Sequence, residues 1–109
     1  MKPRDVCGCG ALCLCAFLLG SCETGSSSAP PISAAFIRAG VRENADARTL
    51  AQGRSLLLNR CIQCHRLPEV AQFDRPHLTA IVAKMSGRAN MNAEQHEALL
   101  KYLLTVQSQ

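Results

Sequence analysis

Cys61-Ile62-Gln63-Cys64-His65 holds two thiols three residues apart, with an imidazole directly after the second. At a helix end this spacing puts both sulfurs on one side of the backbone. There they can add across two porphyrin vinyl groups as thioethers, while the imidazole of His65 reaches the iron from one face. Cys-x-x-Cys-His is the attachment motif of c-type haem. The other chemistries open to a Cys-x-x-Cys pair need a context that this sequence lacks. A thioredoxin-like redox pair wants a βαβ setting, and a zinc half-site wants a second Cys/His pair. Ligation by His65 leaves one axial iron position, for which Met85, Met91, His77 and His96 are the candidates in this part of the chain.

The remaining cysteines fall elsewhere. The chain has 109 residues and seven Cys, of which Cys7, Cys9, Cys13 and Cys15 lie near the start and Cys22 follows. Lys2 and Arg4 precede an apolar run, Val6 to Gly20, which reads as a secretory signal and is too short to span a bilayer comfortably. The four early cysteines sit inside that run without a neighbouring His or acid, and read as small apolar residues discarded with the signal. Leu19-Gly20-Ser21-Cys22 resembles the lipobox of bacterial lipoprotein precursors, in which small residues admit the peptidase and the cysteine thiol takes a diacylglycerol. That resemblance implies a signal peptide over 1–21 and a mature chain starting at a lipidated Cys22. The alternative is an ordinary cleaved signal that leaves Cys22 as a thiol. Glu23 follows Cys22 in place of the Asp that commonly retains lipoproteins in an inner membrane, which favours the periplasmic face of the outer membrane.

Removing 1–21 lowers the formal net charge from +4 to +3 and leaves three cysteines, Cys22, Cys61 and Cys64. The mature chain is only mildly basic and has no Lys/Arg block of the kind nucleic-acid binding uses. Export places Cys61 and Cys64 in an oxidising compartment, where a closely spaced pair must be a disulfide, a metal site or a covalent attachment.

Three helical segments position the motif. The first runs from about Asp46 to Arg60, capped by Asn44 or Asp46, with Leu50, Gly53, Leu57 and Cys61 along one stripe. The second runs from about Pro76 to Ser86, with Asp74 as cap, Pro76 in its first turn and Gly87 just past its end. Its stripe is Leu78, Ile81, Val82 and Met85. The third runs from about Ala93 to Val106, with Asn92 and Gln95 in a capping-box arrangement and Leu99, Leu100, Tyr102, Leu103 and Val106 as its stripe. No strand signal is present. Upstream, Glu23 to Ser33 is rich in Ser, Gly and Pro and reads as a flexible tether. Ala34 to Asn44 either continues that tether or packs on the domain. The expected organisation is a lipidated N-terminus and tether over 22–45 and a domain over 46–109. Phe73 and Tyr102 are the only aromatic residues of that domain, so its core is poor and needs a staple, which a covalently held porphyrin provides.

From about Asp46 to the C-terminus the chain resembles a class I c-type cytochrome. Besides the haem motif, Gly53 stands eight residues before Cys61 and Leu57 four before it, as in the family's N-terminal helix. Ala98-Leu99-Leu100-Lys101-Tyr102-Leu103 is similar to the family's C-terminal helix, whose Leu and Tyr pack across that glycine. A glycine there has a physical reason, since it lets two backbones approach closely. The resemblance implies an all-α, small cytochrome c-like fold, with three main helices around one covalent haem c.

In the family a Met thioether usually comes from the loop before the last helix, several residues upstream of that helix's cap. Met85, seven residues before Asn92 and on the apolar stripe of its own helix, matches that position, and packing alone is the competing role for it. Met91 directly precedes Asn92 and suits packing at the helix start. His96 shares a face with Leu99, Leu100 and Leu103 and reads as a core histidine, and His77 reads as a solvated first-turn residue. The chain departs from the family in the short interval of twenty residues between His65 and Met85, and in the lack of a Pro after Met85. Pro68 and Pro76 are both candidates for the backbone carbonyl that accepts a hydrogen bond from the second nitrogen of His65.

These readings imply a one-electron carrier tethered to a membrane in the bacterial periplasm, with Cys61, Cys64, His65 and Met85 holding the haem. No Ser/His/Asp arrangement or catalytic carboxylate pair is present, so neither an enzyme nor a small-molecule substrate is expected. Partners of the expected kind are redox proteins: a dehydrogenase, an oxidase or another cytochrome. Two other roles remain open: a five-coordinate haem that binds or senses a gas, and a haem subunit of a periplasmic dehydrogenase.

Overall fold

Each α-helix begins where a short polar side chain takes up an otherwise orphaned backbone N–H. The computed structural model describes residues 29–61 and 69–109. Helix α1 (Ala34–Gly40) starts at Ser33, whose Oγ accepts from the Phe36 N–H at 3.1 Å. Helix α2 (Ala47–Leu56) starts at Asp46, which accepts from the Thr49 N–H at 2.7 Å. Helix α3 (Arg75–Arg88) starts at Asp74, which accepts from the His77 N–H at 2.8 Å, with Pro76 in the first turn where its missing N–H costs nothing. Helix α4 (Ala93–Gln107) carries a complete capping box, Asn92 accepting from the Gln95 N–H and the Gln95 side chain accepting from the Asn92 N–H. Short 3₁₀ turns cover Val41–Glu43 and Val70–Gln72, and α2 widens into a π turn over Leu57–Cys61. Among the described residues there is no strand.

The expected three main helices are present, and a fourth, α1, precedes them. The end of α3 differs from expectation: Gly87 lies inside the helix, and Asn90 takes the left-handed conformation (φ 54°). The Asn90 N–H donates to the Gly87 carbonyl and the Met91 N–H to the Ser86 carbonyl, the paired bonds of a Schellman ending. Asparagine tolerates this conformation because its short polar side chain bonds locally, so it replaces the expected glycine. Asn44 (φ 52°) ends the first 3₁₀ turn in the same way, with Ala45 N–H donating to the Gly40 carbonyl.

The packing centre is the crossing of α2 and α4. At Gly53 a methyl group would overlap the Ala98 carbonyl oxygen and lie 2.5 Å from Tyr102 Cβ, so only glycine admits the approach. Leu50 and Leu57 of α2, Leu78 and Val82 of α3, and Leu99, Tyr102, Leu103 and Leu104 of α4 form one buried cluster. Each fully buried side chain of this kind contributes about 1.5–3 kcal/mol relative to exposure.

The segment that the sequence leaves open is part of this core. Phe36 is buried against Tyr102, with ring centroids 5.3 Å apart, and Gly40 lets α1 close on Leu50. The packed chain reaches back to Ala29, upstream of the domain start expected at Asp46 and into the last residues of the expected tether. Its reason is a clasp: the Pro30 carbonyl accepts from the Tyr102 hydroxyl at 2.7 Å and from Arg54 Nε at 3.0 Å. Glu43 and Arg75 add a two-bond ion pair at 2.8 and 2.6 Å, which joins this segment to the start of α3.

Candidate functional site

Cys61 is the last residue of the π turn that extends α2. It is half-buried and packs against the core cluster one turn beyond the buried Leu57. Leu50, Gly53, Leu57 and Cys61 therefore share one face, as their spacing predicts. Cys64, His65 and Pro68 lie outside the described residues, as does Cys22.

Helix α3 supplies the other candidate group. Leu78, Val82 and Ser86, each four residues after the last, form its buried row. Ile81 and Met85 are half-buried and stand outside the group packed on the core cluster. Met91, in contrast, packs against that cluster at the start of α4, as its position beside Asn92 predicts. Arg60 Nη1 donates to the Ala89 carbonyl at 3.3 Å, which sets the Cys61 end of α2 beside the C-terminal end of α3, four residues from Met85. The two elements that carry Cys61 and Met85 are thus neighbours at one end of the domain.

The other candidates are elsewhere or otherwise engaged. His77 is exposed in the first turn of α3, with its ring edge-on to Phe73 at 5.2 Å. His96 is half-buried on α4. Pro76 is exposed at the opposite end of α3 from Met85. Among the described residues no group of three or more His, Cys, Asp or Glu gathers in a metal-binding arrangement, and no helix is long and apolar enough to cross a membrane.

Two features escape a reading of the sequence. Ser86 Oγ is buried without a hydrogen-bond partner among the described residues, a state that costs about 1–3 kcal/mol where no partner exists. Its signal is visible only in hindsight, as a hydroxyl at the end of an i, i+4 row begun by Leu78 and Val82. The second is the Pro30 clasp, which joins positions so distant in sequence that no local pattern announces it. Burial pushes the Tyr102 hydroxyl up to about 12, although the Arg54 charge and hydrogen bond pull the other way.

Among the described residues, the half-buried Cys61 stands at the rim of the apolar core, the half-buried Met85 lies on the neighbouring helix, and the buried Ser86 hydroxyl has no hydrogen-bond partner. A scan against family models finds no match, and searches of curated proteins and of solved structures likewise find none.

Proposed function

We propose that the chain is a monohaem c-type cytochrome, anchored by a lipid at Cys22, that carries single electrons at a periplasmic membrane surface. The observation that supports it most is the conjunction of Cys61-Ile62-Gln63-Cys64-His65 with the Gly53–Tyr102 helix crossing eight residues upstream. Spacing and crossing are independent features, one chemical and one steric, and the same family is expected to have both.

Cys61 and Cys64 would hold the haem through two thioethers, each thiol S–H adding across one vinyl double bond so that no oxidant would be needed. His65 would supply an imidazole to the iron, and Met85 would supply a thioether from α3. When bound, the haem supplies a one-electron Fe(III)/Fe(II) couple, and thioether ligation raises its potential. Leu57, Leu78 and Val82, buried in the core on the elements that carry Cys61 and Met85, would keep that side of the site apolar. The lipid at Cys22 confines the carrier to a surface, which raises its effective concentration toward redox partners there.

The absorption spectrum of the purified protein tests the ligand set. His/Met ligation predicts the long-wavelength band of thioether-bound ferric iron, its loss in Met85→Ala and its retention in Met91→Ala. Ready CO binding by the reduced wild-type protein would contradict a six-coordinate carrier and favour gas binding.

A further inference from the structure

The outer surface of the N-terminal segment is unlike the rest of the described chain. Phe36 and Gly40 face inward, and the opposite side of α1 and its 3₁₀ extension presents Arg38, Val41 and Arg42, all exposed. Val41 is 68% exposed and is the one large hydrophobic residue among the described residues that is. Among the described residues neither arginine has an ion-pair partner. The nearby acids are engaged: the Glu43 side chain is 8% exposed and bound to Arg75, and Asp46 caps α2.

The chain upstream decides what this face meets. Arg54 and Tyr102 pin the Pro30 carbonyl, so the described chain begins at a fixed point on the domain, seven residues after Cys22. Seven residues span at most about 25 Å when fully extended. A domain held that close to a bilayer must turn some face to it. The face on the same N-terminal segment carries two positive charges, without ion-pair partners among the described residues, around an apolar side chain, a composition that suits anionic headgroups.

We propose that Arg38, Val41 and Arg42 dock on the anionic headgroup surface of the membrane that holds the anchor. The proposal rests on the lipid anchor at Cys22, and it gives the anchor a consequence: docking fixes the orientation of the Cys61 end relative to the membrane.

The test uses the haem-loaded mature chain with Cys22→Ser, so that no lipid contributes, and vesicles of phosphatidylglycerol or of phosphatidylcholine. Binding to phosphatidylglycerol is expected to be at least about tenfold tighter, and to weaken as salt rises. Arg38→Gln and Arg42→Gln each weaken it by roughly fivefold, and Val41→Ser weakens it further, with helicity and haem spectrum unchanged. Absence of binding at low salt, as expected if this face instead meets an acidic protein, overturns the proposal. So does binding that the two arginine substitutions leave untouched. The anchor is read separately from the mass of the native protein, so a missing lipid and a missing docking surface give different results.

Discussion

Gly53 and Tyr102 carry the contact on which the domain turns, and both yield measurable expectations. Gly53→Ala places a methyl group against the Ala98 backbone, which cannot swing aside, and should cost about 3 kcal/mol in denaturant unfolding. Gly40→Ala meets the end of the Leu50 side chain, which can rotate, and should cost distinctly less. Tyr102→Phe removes one of two donors to the Pro30 carbonyl and should cost about 1 kcal/mol. Its pH signature is distinctive. The folded hydroxyl ionises only near 12, above its unfolded value, so the stability it contributes is complete below about pH 10 and is lost as pH rises through 12. The Tyr102→Phe protein should lack this part of the alkaline decline. The glycine was legible in the sequence because its spacing from Cys61 carries a reason. The hydroxyl's partner was not, since it arrives from the far end of the chain.

At the scale of elements, caps and apolar periodicity were the readable signals. Asp46, Asp74 and Asn92 cap where their side-chain chemistry places them, and the Asn92–Gln95 box forms with both its bonds. Asn92→Ala should cost about 1 kcal/mol and fray the first turn of α4, read as faster amide exchange at Gln95. The end of α3 is not legible from Gly87, because a glycine suggests a helix stop whereas Asn90 takes the left-handed turn. Helix α1 was undecided because seven residues cannot show a period. What decides it is tertiary: Phe36 against Tyr102 and Gly40 against Leu50. Phe36→Ala should cost about 3 kcal/mol and expose the amides of α1 to exchange ahead of those of α2 and α4. Glu43, held below the usual carboxylate range by its hydrogen bonds to Arg75, ties this segment to α3 only while ionised. The tie should weaken as pH falls through that lowered value, and Glu43→Gln should remove this part of the acid response.

For the molecule as a whole, composition posed a question that packing answers only in part. Seven cysteines in an aromatic-poor chain do not suit a simple disulfide framework. Phe36, a third aromatic ring beside Phe73 and Tyr102, enters the core from the segment that the sequence leaves open between tether and domain, so the core is larger than 46–109 alone would give. The haem motif itself is legible because covalent attachment demands a fixed short spacing. An axial thioether demands no such spacing from the motif, so Met85 is proposed only from its place on α3, beside the end of α2 that carries Cys61. The intact mass of the exported protein under denaturing conditions tests the central claim most directly. The account predicts a chain beginning at Cys22 that retains one haem, with the mass of a diacylglycerol at its N-terminus. A mass equal to the unmodified polypeptide, from cells with haem-attachment machinery, would contradict it.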